Sequence, residues 1–243
     1  RLNQIAIITS TPKFIHSYIE NSILKKAKER KAVSFHLIDL REFGLGNYQQ
    51  IDDKPYGGGK GMVLMSKPLF GAIDYATNLM GNTSNINVIY PNTSGSKWDQ
   101  KEAKRVSRFS KTILICGHYK GIDQRVIDKY VTHEYSIGDF VLTSGAIPAM
   151  IIIDSSVRLM SKALNSPESS ETDSFTHGLL DHPHYTYPRE IAGLKVPDVL
   201  LTGHHGDIIK WRLNKRESVT KKKRIDLWKI YKNKLKKSEL NYE

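Results

Sequence analysis

Short apolar runs alternate with helically spaced apolar positions through the first two thirds of the chain. Ile5–Thr9 is almost unbroken in apolar character and predicts a buried strand. Ser34–Leu40, Ile86–Tyr90 and Thr112–Cys116 predict three more. Phe14 to Lys28 places Phe14, Ile15, Tyr18, Ile19, Ile23 and Leu24 at helical spacing, which predicts one helix. Trp98 to Phe109 predicts another, with Trp98, Ala103 and Val106 on one side. Ala149 to Met160 is apolar on most sides and predicts a buried helix. Strands alternating with helices predict an α/β core with a mainly parallel sheet.

The pattern changes after residue 162. Lys162 to Asp173 is rich in Ser and reads as an exposed linker. Pro183, Pro188 and Pro197 keep the next stretch irregular. Ile208–Val219 and Ile225–Leu235 then predict two helices. The expected organisation is an α/β domain over 1–162, an interdomain linker over 163–180 and a small basic helical domain over 181–243.

Composition narrows the classes. Apolar residues are 39% and charged residues 26% of 243, which excludes a fibre, a collagen and a fully disordered chain. A chain of this length can bury a core without a disulfide or metal staple. The single Cys116 excludes an intramolecular disulfide and any site built on several cysteines. It reads as a small core residue and fits a reducing cytosol. The longest apolar stretch, Ala146 to Ile153, contains Pro148 and stops at Asp154, too short for a membrane span. The expectation is a soluble, cytoplasmic protein with no membrane partner.

Charge adds a partner class. The net charge is +12, and thirteen basic residues crowd Lys210 to Lys237 against only Glu217 and Asp226. Trp211, Trp228 and Tyr231 are interleaved. Such a segment suits a polyanion, most simply nucleic acid. A solvated helical face accounts for the charge equally well.

Several motifs bear on chemistry. Asp52 to Met62 holds Gly57-Gly58-Gly59 and Gly61 around Lys60. It is not a P-loop, because Lys60 is followed by Gly61 rather than Ser or Thr, and it lacks the dinucleotide glycine spacing. A glycine run is entropically costly, so it reads as a binding loop rather than a connector. The nine histidines lack ligand spacing on a helix face, so His182, His184, His204 and His205 read as solvent- or RNA-facing rather than as a metal set. No Gly-x-Ser-x-Gly elbow occurs, which leaves serine hydrolase chemistry unsupported. The loops Tyr90–Gly95, Cys116–Asp123 and Ser136–Gly145 each follow an apolar run or its neighbour. Together they predict a small-molecule pocket at the carboxyl ends of the strands.

A resemblance sharpens this. In order stand Asp52-Asp53-x-Pro55-Tyr56-Gly57-Gly58-Gly59-x-Gly61-Met62, Cys116-Gly117-x-Tyr119-x-Gly121-Ile122-Asp123-x-Arg125-Val126, Ser136-Ile137-Gly138-Asp139-x-Val141-Leu142 and Ile153-Asp154-Ser155-x-x-Arg158. Asp173-Ser174-Phe175, Gly178-Leu179-Leu180, Pro183-His184-Tyr185-Thr186 and Gly203-His204-His205 with Trp211-Arg212 follow. In order and spacing they resemble the bacterial tRNA (guanine-N1)-methyltransferases of the TrmD family, in the SPOUT superfamily, almost end to end.

The resemblance implies a SPOUT-type mainly parallel sheet with a deep trefoil knot, plus the C-terminal helical domain. It implies that S-adenosylmethionine donates a methyl group to N1 of the guanine just 3′ of the anticodon, position 37 of tRNA. It also implies a homodimer with each active site at the subunit interface. Asp173 matches the general base and Arg158 its partner. Gly117 and Ile137, Gly138, Asp139, Phe140, Val141 and Leu142 match the cofactor loops, with Tyr90, Pro91, Asn92, Tyr119, Gly145 and Pro148 nearby. Asp181 matches a second carboxylate, associated with magnesium dependence, and is the metal candidate. His184, Tyr185, Lys210, Arg212, Lys215 and Arg216 are the RNA-binding candidates.

The residue types suit the reaction. Guanine N1 carries a proton that a carboxylate can take. N1–H is a far weaker acid than Asp, and each pKa unit of mismatch costs about 1.4 kcal/mol. A guanidinium that stabilises the charge growing on O6 offsets that cost.

Four departures stand out. His118-Tyr119-Lys120 replaces the family's Arg-Tyr-Glu, so Lys120 inverts a charge beside a cationic ligand and predicts weaker cofactor binding or no magnesium requirement. Ser144 stands where glycine is expected and places a side chain against the cofactor. Tyr187 replaces Arg and Lys60 replaces Pro. These motivate two alternatives: a knotted RNA-binding protein with weak or no methyl transfer, and a methyltransferase for another RNA.

Overall fold

Ile5, Ile7 and Ile8 make Asn3–Thr9 (β1) a strand, because β-branched side chains fit a pleated surface covered on both faces. β1 pairs in parallel with Val33–Asp39 (β2) on one side. On the other it pairs in parallel with Lys111–Ile115 (β6). β6 is followed by Asn87–Lys97 (β5) and then His133–Ser136 (β7), also parallel. The sheet order is β2-β1-β6-β5-β7. A separate antiparallel pair joins Asp52–Asp53 (β3) to Val63–Leu64 (β4). The structure is a computed structural model that describes residues 2–81, 85–163 and 173–240. Two units divide the chain, residues 1–167 and 168–243.

Both faces of the five-stranded sheet are covered. Ile5, Ile7 and Leu114 pack into one cluster with Ile15, Ile19, Leu24, Ile152 and Ile153. These come from Pro12–Ile19 (α1), Ser22–Glu29 (α2) and Ala146–Val157 (α6). Ala6, Ile8, Ile113 and Ile115 point the other way, onto Leu69, Ile73 and Val126. Those belong to Ser66–Leu79 (α3) and Gln124–Tyr130 (α5). The strand period of two thus sorts one apolar run into two cores. Gln100–Val106 (α4) is capped by Asp99, whose carboxylate accepts the Glu102 amide at 3.0 Å.

Several expectations change. The single helix expected over 14–28 is two, α1 and α2, broken at Asn21 and Ser22 with Ser22 at φ +51°. Short polar side chains compete for backbone hydrogen bonds, and the Asn21 amide donates to the Ser17 carbonyl. β5 runs past Tyr90 to Lys97, through a register shift between Pro91 and Ser96. The 90–95 segment is therefore an irregular strand rather than a free loop. The buried helix begins at Ala146 and ends at Val157.

The second unit holds His205–Lys223 (α7) and Ile225–Leu240 (α8), with a small ladder of Glu190–Ile191 (β8) and Leu194–Lys195 (β9). Both helices are longer than expected. Thr220 is fully buried; its hydroxyl donates to the Arg216 carbonyl at 2.7 Å and accepts the Leu180 amide at 2.8 Å. Tyr231 of α8 donates to Glu217 of α7 at 3.0 Å. Of the expected linker, residues 164–172 lie outside the described residues. Among the described residues no helix is long and apolar enough to cross a membrane.

Candidate active site

The ends of β5, β6 and β7 converge on a cavity of about 460 Å³. Its walls are the segment after Tyr90, the turn from Gly117 to Gly121 and the loop from Ser136 to Gly145, with Pro148 of α6. Backbone contacts hold these walls together. The Gly145 amide donates to the Gly117 carbonyl at 2.7 Å, and His118 and Ser144 form an isolated antiparallel bridge. A Cβ on Gly145 would sit 2.6 Å from the Gly117 nitrogen, and one on Gly117 would sit 3.0 Å from the Tyr90 ring. Neither position tolerates a side chain without movement. Tyr90 is buried, and burial pushes its hydroxyl up to about 12, against a backbone hydrogen bond from Ile122. It is a neutral wall group at physiological pH.

Of the residues expected to bind cofactor, Tyr90, Pro91, Asn92, Gly117, Tyr119, Ile137, Gly138, Phe140, Val141, Leu142, Gly145 and Pro148 line this cavity. Asp139 does not. Thr93, His118, Lys120, Gly121, Tyr135, Ser136, Thr143 and Ser144 also line it. Most sit in the same loops as the expected residues. Tyr135 escapes a reading of the sequence because polar neighbours hide β7. Among the described residues the lining contains no carboxylate, and Lys120 is its one lysine or arginine. Ser144 accepts the Ala146 amide at 3.4 Å, a weak contact at the start of α6.

The glycine-rich loop stands beside this wall. Gly57, Gly58, Gly59 and Gly61 all have positive φ, between +81° and +110°, so the run is required by the backbone path. Lys120 donates its amide to the Met62 carbonyl at 3.0 Å, and its side chain lies along Gly61. Cys116 is buried, and burial pushes its thiol up to about 12, against a hydrogen bond with Thr9. It is an inert core residue, as expected.

Residues 3–230 match the family described as tRNA (Guanine-1)-methyltransferase TrmD. The chain belongs to this family. It is 44% identical over 223 residues to a tRNA (guanine-N(1)-)-methyltransferase of Clostridioides difficile, covering 92% of this chain and 96% of that one. A protein of the same description from Borrelia hermsii is 46% identical over 230 residues, 94% of each chain. One from Bacillus pumilus is 44% identical over 224 residues, 92% of this chain and 91% of that one.

The TrmD residues expected to do chemistry fall in both units. Arg158 ends α6 in the first unit and is half-buried. Asp173 lies in the second, with its carbonyl 3.4 Å from the Thr176 amide. Asp181 is anchored by its amide, which donates to Ser174 at 2.9 Å. Burial alone would raise its carboxyl, but His184 and the His182 amide more than offset this and hold it below the usual carboxylate range.

The RNA-binding candidates divide. His184, Tyr185, Lys210, Arg212 and Lys215 are exposed. Lys215 lies over the Trp211 ring at 5.7 Å, and Tyr185 faces the same ring at 6.3 Å. Arg216 instead turns inward, its Nε donating to the Leu180 carbonyl at 3.3 Å. It is half-buried, and helical charge spacing alone does not reveal that contact.

Proposed function

We infer that this chain transfers a methyl group from S-adenosylmethionine to N1 of guanine in tRNA, at the guanine 3′ to the anticodon. The observation that carries the reading is the family match across residues 3–230. The glycine-cradled cavity supports the donor site: its size suits one small molecule, and its loops offer flat apolar surface beside backbone hydrogen-bonding groups. In this reading residues 1–162 hold the donor, 163–180 form the linker and 181–243 grip the tRNA. The superfamily's trefoil knot belongs to it too; the His118–Ser144 bridge and the Gly117–Gly145 contact support a chain drawn tightly through itself.

When bound, the donor supplies an electrophilic methyl group on a sulfonium. The chain must remove the N1 proton, steady the resulting charge and hold N1 in line with the methyl carbon. The cavity lining carries no carboxylate among the described residues, so the base comes from another segment. Asp173 takes the proton onto its carboxylate. The Arg158 guanidinium stabilises the negative charge on O6. With its proton gone, N1 would present its lone pair to the methyl group that the donor would supply, with release of a neutral thioether. Magnesium asks for oxygen donors in near-octahedral array. Asp181 stands with two imidazoles, a set that does not fit.

A homodimer completes the reading. Phe14 and Tyr18 on α1 and Ile147 and Ile151 on α6 are exposed apolar side chains. Ile147, Ile151 and Asp154 share one face of α6, and Tyr18 donates to Asp154 at 2.8 Å. This joined face supports a second copy of the chain. The site of action is the cytoplasm, where tRNA is matured. Calorimetric titration with S-adenosylmethionine tests the donor site: one site per chain is expected. Absence of binding, with tRNA binding retained, would favour an RNA-binding protein that has lost transfer through Lys120 and Ser144.

A further inference from the structure

Asp181, His182 and His184 bring one carboxylate oxygen and two imidazole nitrogens within 4.8 Å of one another. Among the described residues this is the one such group. All three side chains belong to one short irregular segment of the second unit. His184 Nε2 lies 2.9 Å from Asp181 Oδ2, and His182 Nε2 lies 3.8 Å from Asp181 Oδ1. Donors sharing one ion at about 2.0–2.1 Å in tetrahedral array stand roughly 3.3 Å apart. The two histidine separations, each to a different oxygen of the carboxylate, fall on either side of that value.

The surroundings fix the donors in place. His182 Nδ1 is 3.0 Å from the Pro183 carbonyl, which can only accept, so Nδ1 carries the proton. In the neutral ring Nε2 then presents a bare lone pair toward a carboxylate oxygen. Two acceptors face each other there, and a cation between them satisfies both. An imidazole that donates its other N–H to a backbone carbonyl is the usual supporting arrangement for a metal ligand. The His182 side chain is only 12% exposed and packs edge-on to Trp211 at 6.1 Å. Asp181 is held by Ser174 and by the His182 amide at 2.7 Å. His184 is 70% exposed, which leaves the remaining coordination position to solvent water.

We propose that Asp181, His182 and His184 form a binding site for a zinc-class divalent transition metal. Two nitrogens and one oxygen select such an ion over magnesium, by donor type and by the usual affinity order. The ion clips the segment that leads into Tyr185, one of the exposed RNA-facing candidates. The site does not depend on methyl transfer, so its test needs neither donor nor tRNA.

The full-length chain is titrated with Zn2+ against a chromophoric chelator, and with Co2+ while its visible absorption is followed. One ion per chain is expected, with a Co2+ spectrum of four- or five-coordinate intensity and no displacement by millimolar Mg2+. His182→Ala and Asp181→Asn should each weaken binding at least tenfold. His204→Ala, outside the cluster, should leave it unchanged. Circular dichroism establishes that each variant is folded. Equal affinity in wild type and His182→Ala, or a Co2+ spectrum of the hexaaquo type, would overturn the site and leave a hydrogen-bonded His–Asp pair in its place.

Discussion

The two units are built by opposite means. The first shapes a cavity with backbone: glycines pressed together, a bridged pair of loops and a sheet buried on both faces. It places one lysine, Lys120, on the wall. The second presents charge on helices whose side chains are mostly exposed, with Thr220 as its buried polar anchor. A shaped site fails when one atom is added. A charged surface weakens by degrees as its cations are removed.

The sharpest challenge to that contrast is Asp173, a single side chain in the second unit to which the proposed mechanism assigns the N1 proton. Asp173→Asn should lower the single-turnover rate by about 10²–10⁴ while leaving donor affinity unchanged by calorimetry. A variant with full rate would take Asp173 out of the base role. Next is Gly145→Ala, whose new methyl group meets the Gly117 nitrogen at 2.6 Å. Donor affinity should fall at least tenfold, and thermal unfolding should report a loss of about 1–3 kcal/mol. Unchanged affinity would mean the cradle does not hold the donor.

Charge removal should act more gently. Neutralising Lys210, Arg212 and Lys215 to Gln should weaken tRNA binding and reduce its salt slope by about 0.9 for each duplex phosphate that is no longer neutralised. Donor binding should not change. Arg216→Gln should instead lower thermal stability, since Arg216 is committed to the Leu180 carbonyl. A salt-slope change in that variant equal to the others would contradict the division. The smallest effect is alkaline. Cys116 and Tyr90 are both pushed up to about 12 by burial, from ordinary values of 9.0 and 10.0. The folded state therefore holds these protons more tightly than the unfolded one. Their contribution is complete below about pH 9 and is lost as pH rises toward 12. Cys116→Ala should flatten that decline in a pH series of thermal melts.

Much of this is legible in the chain because backbone constraints leave glycine signatures. The run at Gly57–Gly61 marks a backbone path through positive φ, Gly117 and Gly145 mark places where a side chain does not fit, and the loops bearing the last two meet in the cavity. Strong apolar runs mark β1, β2 and β6. What escapes is carried by small or mixed residues. α3 packs Leu69, Ala72, Ile73 and Ala76 at helical spacing, but its alanines make the stripe faint. β7, His133 to Ser136, is a short strand of mostly polar residues made a strand by its neighbours. The histidines lack helix spacing, which argues against a metal set only on a helix. An irregular segment needs no such period, and Pro183 folds His182 and His184 onto one carboxylate. Arg216 is one cation among many in the sequence, and only its inward hydrogen bond sets it apart.

Methyl transfer requires a proton to leave guanine N1 and a methyl group to replace it. The direct test is incubation with S-adenosylmethionine labelled in its methyl group and unmodified tRNA, followed by nuclease mapping of the labelled nucleotide. The expected result is 1-methylguanosine at the position 3′ to the anticodon, and nowhere else. Label on another base, or none at all with donor and tRNA both bound, would contradict it.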